Sequence, residues 1–64
     1  MKLIVTIPCY NEAATLASVI HEIPRTLPGV DTVEVLIVDD GSNDDTVAVA
    51  RTSGADYILS NMHN

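Results

Sequence analysis

Val35-Leu36-Ile37-Val38-Asp39-Asp40-Gly41-Ser42-Asn43-Asp44-Asp45-Thr46 is the stretch whose reading decides the fold. Its four leading residues are apolar and three of them are β-branched, which predicts a strand buried on both faces. Two carboxylates, Asp39 and Asp40, follow at the strand's carboxyl end, where open α/β sheets place their ligands. Gly41 permits the positive φ of a sharp turn. Ser42 reads as a helix N-cap, with Asp45 three residues on as a capping-box-like partner. Asp44 and Asp45 then fall in the first helical turn, where negative charge complements the helix dipole.

Upstream, Leu3-Ile4-Val5-Thr6-Ile7 is a second apolar, β-branched run and predicts a first strand. Pro8 is expected to stop its ladder and to hold Ile7 extended. Cys9-Tyr10-Asn11 makes the loop that leaves this strand, with Asn11 as N-cap of a helix and Glu12 in its first turn. Leu16, Val19, Ile20 and Ile23 recur at helical spacing as one apolar face, and Pro24 closes the helix. Leu27-Pro28-Gly29 is a turn toward the strand Val33 to Val38. A second helix runs from about Asp44 to Ser53 with Gly54 as its stop, its thin apolar face made of Val47, Ala48, Val49 and Ala50. Ala55 to Ser60 reads as a third strand, and residues 61–64 carry no element.

The order β-α-β-α-β predicts an α/β fold, a Rossmann-like three-stranded parallel sheet with right-handed crossovers. This is half of a doubly wound domain, so residues 1–64 are expected to be an incomplete domain. In the strand order 3-2-1-4, both crossovers run the same way and put both helices on one face. The other face is then bare, which predicts self-association or docking onto the remainder of a parent protein.

Composition narrows the function. The chain has 64 residues and 47% hydrophobic content, too apolar for disorder. Its net charge is −6, and its three basic residues (Lys2, Arg25, Arg51) stand far apart, which argues against binding nucleic acid or an anionic membrane. One cysteine excludes an internal disulfide framework and fits a reducing, cytoplasmic compartment. The apolar run before Pro8 is too short for a membrane span or a signal peptide.

In a parallel sheet, the loops Pro8 to Glu12 and Asp39 to Ser42 emerge at the same edge. Tyr10 can stack on a planar base, and a carboxylate can accept from a base amine or a ribose hydroxyl. Neither a dinucleotide glycine fingerprint nor a P-loop is present. A bare pyrophosphate would be repelled by these acids, so a complete phosphate site needs a cation from elsewhere.

Ile7-Pro8-Cys9-Tyr10-Asn11-Glu12 followed by Val38-Asp39-Asp40-Gly41-Ser42-Asn43-Asp44-Asp45-Thr46 resembles the amino-terminal signature of family 2 glycosyltransferases, GT-A enzymes that use nucleotide-diphospho-sugars. The pattern is especially similar to the dolichyl-phosphate mannosyltransferase branch and its polyprenyl-phosphate relatives. The resemblance implies a donor site for a GDP- or UDP-sugar. It implies that Pro8, Tyr10 and Glu12 line the nucleotide pocket, that Ile37 and Asp39 contact the base, and that Asp40 anchors the turn or a ribose hydroxyl. It further implies an Asp-x-Asp holding Mg²⁺ or Mn²⁺ and a catalytic base, both absent from these 64 residues. The chain by itself is therefore expected to transfer no sugar. The full-length enzyme is expected in the cytoplasm, at the membrane's cytoplasmic face if its acceptor is a polyprenyl phosphate.

Competing readings belong beside these. Asp39-Asp40-Gly41 is also common turn chemistry, and Glu12, Asp44 and Asp45 also suit helix starts. Cys9 reads as a small buried residue rather than a nucleophile, Tyr57 as packed against the sheet, and His21 and His63 lack ligand spacing. A small stand-alone α/β module that binds a nucleotide or a protein without catalysis is the alternative function. A phospho-acceptor receiver also places an acidic pair after a strand, but the chain lacks the further Asp and Lys it needs.

Overall fold

The computed structural model describes residues 1–61. The expectations for the end of the tail and for His63 lie outside the described residues. Five elements follow in order: β1 (Lys2–Cys9), α1 (Ala13–His21), β2 (Thr32–Asp39), α2 (Thr46–Thr52) and β3 (Tyr57–Ser60). The three strands form one parallel sheet in the order β1-β2-β3. This is the α/β, Rossmann-like half-domain that the apolar runs predict. β2 is central because its Val-Glu-Val-Leu-Ile-Val core is flanked on both sides. Leu3 pairs with Val33 and Cys9 with Asp39, so β1 and β2 end level at their carboxyl ends.

Side-chain alternation divides the sheet into two unlike faces. Cys9, Val35 and Ile37 join Leu16 and Ile20 of α1 and Ala50 of α2 in a single aliphatic core. Both helices therefore lie on one face, as two right-handed crossovers in the same direction require. Ile4, Thr6, Pro8, Glu34, Leu36, Val38, Tyr57 and Leu59 alternate onto the other face. Among the described residues nothing covers it, and Leu59 is 60% exposed. One polar group interrupts its amino end, where Glu34 accepts from Lys2 Nζ at 3.2 Å and from the Tyr57 hydroxyl at 3.3 Å. Tyr57 does lie along the sheet, but on this uncovered side.

Several local expectations change. β1 runs through Pro8 to Cys9 rather than stopping at Ile7. The Cys9 carbonyl accepts the Asp40 N–H at 2.9 Å, so Cys9 points its backbone polar groups toward β2. Pro8, one residue earlier, turns its nitrogen to the open edge, and no ladder bond is lost. In α1 the buried stripe is Leu16 and Ile20 with Ile23 alongside, whereas Val19 is 43% exposed on its flank. α2 is shorter than predicted because Asp44 and Asp45 precede it, Asp45 being the N-cap residue. Its buried residues are Thr46 and Ala50, with Val49 packed against the core. Ala48 of the predicted face is exposed. Gly54 ends α2 at φ +101°, and the Ala55 N–H reaches back to the Ala50 carbonyl at 3.1 Å, a Schellman closure.

β3 starts at Tyr57, two residues later than predicted. Asp56 takes over the missing rung: its N–H donates to the Val35 carbonyl at 2.9 Å, and its Oδ2 accepts the Val35 N–H at 2.7 Å. Arg25 closes the arrangement by donating to Asp56 Oδ2 and the Val33 carbonyl, both at 2.9 Å, and to the Gly54 carbonyl at 2.7 Å. The amino end of the sheet is thus clamped by a charged pair. The carboxyl end, by contrast, is built from loops.

Candidate functional site

Parallel pairing brings the β1–α1 loop, Tyr10 to Glu12, beside the β2–α2 loop, Asp40 to Asp45. The two are laced together by side chains reaching across more than thirty residues of sequence. Asn11 donates its N–H to Ser42 Oγ at 2.8 Å, and its Oδ1 accepts the Asn43 N–H at 2.7 Å. The Glu12 N–H donates to Thr46 Oγ1 at 2.9 Å, and the Ala13 N–H to Asp44 Oδ2 at 3.3 Å. Two of the unpaired donors at the start of α1 are therefore satisfied by the other loop rather than by a local cap.

This lacing corrects both expected caps. Asn11 is not the N-cap of α1, since Glu12 holds that position without a side-chain cap bond. Asn11 instead adopts φ +52°, a left-handed conformation that asparagine tolerates better than most residues. Ser42 does not cap α2 either. Its hydroxyl donates to Asp39 Oδ1, and its N–H reaches Asp39 Oδ2 at 3.3 Å across the turn that Gly41 makes at φ +79°. Asp44 forms the turn into α2: its Oδ1 accepts the Thr46 N–H at 3.0 Å and also the Thr46 hydroxyl. The Thr46 hydroxyl above all, with the backbone N–H groups, holds the Asp44 carboxyl below its usual range.

The six residues expected at a nucleotide sort by exposure and face. Tyr10 is 55% exposed and presents an open ring. Glu12 and Asp40 are exposed on the two adjoining loops. Asp39 is 3% exposed, so its carboxylate offers a ligand only an edge. Pro8 is exposed on the uncovered side of the sheet, whereas Ile37 is wholly buried on the helix side. From there Ile37 supports the strand beneath Asp39. The loops are brought together, then, while Pro8 and Ile37 stand on opposite faces. The described residues enclose no cavity at this edge, which is an open shelf.

Beside the shelf, Cys9 is buried and leans its Sγ toward the Ile7 carbonyl at 3.7 Å. Burial pushes its thiol pKa up, and the nearby charges of Glu12 and Asp39 add to this, so the sulfur is a packed thiol rather than a thiolate. Among the described residues, no three His, Cys, Asp or Glu side chains gather in a way that could hold a metal ion. Asp39 and Asp44 are already committed to hydroxyl and backbone donors. This set of donors does not fit a divalent cation. Nor is any described helix long and apolar enough to cross a membrane.

Ser42 and Thr46 are the site residues that local reading misplaces or passes over. A signal was available for Ser42, since three residues across a glycine turn is the spacing at which a serine reaches back to an aspartate. Thr46 offered none, because its partner Glu12 is 34 residues away.

The model of the family described as Glycosyl transferase family 2 matches residues 4–60, which takes in α1, β2, α2 and β3 whole and β1 but for its first two residues. An uncharacterized glycosyltransferase of Mycoplasma genitalium is 45% identical over 51 residues, 80% of this chain and 17% of that protein. Protein RfbJ of Shigella flexneri is 39% identical over 51 residues, again 80% of this chain and 37% of that protein. The chain thus spans well under half the length of these relatives. No solved structure matches it.

Proposed function

Because the chain belongs to glycosyl transferase family 2, we propose that it is the nucleotide-binding part of an enzyme transferring sugar from a nucleotide-diphospho-sugar to an acceptor. The observation that carries this reading is the lacing of the two motif loops at the carboxyl edge of β1 and β2. It brings the loop that carries Tyr10 beside the turn that holds the Asp39 carboxylate, and that supports the reading. In this reading Asp39 accepts from the base, Tyr10 stacks on it, and Glu12 and Asp40 face the ribose. Pro8 and Ile37 shape the strand ends around them.

The net charge of −6 requires a cation for the donor's pyrophosphate, and we assign that Mg²⁺ or Mn²⁺, with the general base, to residues outside this chain. Binding without turnover follows for these 64 residues alone. A GDP- or UDP-sugar is the proposed donor. A polyprenyl phosphate, met at the cytoplasmic face of a membrane, is the proposed acceptor. The uncovered sheet face supports pairing of the isolated chain with a second copy of itself.

Titration with GDP and UDP tests the reading. A carboxylate that accepts from a base donor is worth ~1.5–3 kcal/mol, so Asp39→Asn should weaken binding by roughly tenfold or more. Glu22→Gln, at the far end of α1, should leave it unchanged. Equal affinities for Asp39→Asn and the unaltered chain would remove the base from this shelf.

A further inference from the structure

Ser42 occupies an unusual place between the two loops. Its Oγ accepts the Asn11 N–H at 2.8 Å and donates to Asp39 Oδ1, and its own N–H donates to Asp39 Oδ2 at 3.3 Å. A hydroxyl has one proton to give and two lone pairs to receive with. The carboxylate takes that proton and the Asn11 amide fills a lone pair, so the direction of the relay is set: amide to hydroxyl to carboxylate. The left-handed backbone of Asn11 belongs to the same device, since φ +52° accompanies the turn that carries its N–H to Ser42. Both oxygens of Asp39 are held by a single residue. At 3% exposure the carboxylate has little room to find another orientation.

We propose that Ser42 is a positioning residue for the nucleotide base. It fixes the plane of the Asp39 carboxylate and leaves defined lone pairs to the ligand. A base meeting this shelf finds its acceptor already oriented, so less conformational freedom is lost on binding. Removing the hydroxyl takes away the bond to Asp39 Oδ1 and one of the four hydrogen bonds between the loops, without touching the ligand itself, and leaves the carboxylate held through Oδ2 alone. This proposal rests on the nucleotide reading above.

A double-substitution cycle tests it, with GDP and UDP as probes and circular dichroism to confirm that each chain is folded. Ser42→Ala should weaken binding by roughly fivefold to tenfold, within the range of one hydrogen bond to a charged group. In an Asp39→Asn background the same substitution should change affinity less than about twofold, because its effect passes through the carboxylate. A merely structural role for Ser42 would lower affinity equally in both backgrounds, and that result overturns the proposal. Full affinity in Ser42→Ala alongside a loss in Asp39→Asn also overturns it, while leaving the nucleotide reading intact. No loss in Asp39→Asn, or no binding by the unaltered chain, overturns both. If the alanine chain does not fold, Ser42→Cys, close in size but a weak donor, goes through the same cycle with the same expectations.

Discussion

Replacing Asp56 by alanine should cost this chain a large share of its stability. Val35 is wholly buried in the central strand, and its N–H has Asp56 Oδ2 as its acceptor at 2.7 Å. Loss of that acceptor removes a bond to a charged group and strands a backbone donor, a cost of ~1–3 kcal/mol. The ion pair with Arg25 adds little, about 0.5 kcal/mol, because its side chains are 41% and 34% exposed and solvent screens them. The sum, about 1.5–3.5 kcal/mol, compares with a total of about 3–10 kcal/mol for a chain of this size. With a urea slope of ~1 kcal/mol/M, the midpoint should fall by about 1.5 M or more. Asp56→Asn keeps the shape and an acceptor oxygen and should lose less.

The same variant has a pH signature. The Val35 N–H above all, and then Arg25, hold the Asp56 carboxyl below its usual range in the folded chain. A depressed carboxylate stabilises the fold fully above the unfolded-state value of ~3.9, and that stabilisation is lost as pH falls through the folded value. Asp56→Asn should therefore flatten the acid limb of a stability–pH curve. It should not abolish the limb, because Asp44 is shifted in the same direction. Urea titrations followed by circular dichroism between pH 2.5 and 7, at one fixed protein concentration, read both effects. An unchanged midpoint for Asp56→Ala, or superimposable acid limbs for Asp56→Asn and the unaltered chain, would refute the clamp.

Two further outcomes are expected. Cys9 should resist iodoacetamide at pH 8 in the folded chain and react quickly once urea unfolds it, with mass spectrometry reading the rate; fast alkylation of the folded form would contradict a buried, raised-pKa thiol. The isolated chain should sediment as more than a monomer, and Leu59→Lys with Ile4→Lys should shift it toward monomer by charging the uncovered face; a folded monomer at micromolar concentration before substitution would contradict this.

Much of the architecture is readable from residue type alone. Val35 to Val38 and Leu3 to Ile7 each announce a strand because runs rich in aliphatic, β-branched residues suit an extended, pleated backbone. Gly41 and Gly54 mark turns because their conformations exclude most other residues. The helix face at Leu16, Ile20 and Ile23 follows from spacing. Asn11 and Ser42 show where such reading stops. Each carries a short polar side chain suited to a helix start, and each spends it instead on a partner in the other loop or across the turn. Local sequence cannot separate these uses, because the same oxygen satisfies either donor. The choice depends on β1 and β2 ending level, a property of the whole sheet. Arg25 and Asp56 escape notice for a similar reason: they stand 31 residues apart and meet only because β3 follows β2.

Pro8 bears on how this sheet can grow. A strand laid against the free side of β1 would find amide donors at Ile4 and Thr6 and then none at Pro8, where the ring occupies the nitrogen. Its ladder loses one donor there, one step short of the Tyr10 loop. The sheet can thus be extended along the far part of β1 while the neighbouring chain is turned aside at the near part. A proline that looks like the end of a strand acts here as a spacer, keeping the mouth of the shelf open on the flank where the next strand would otherwise close it.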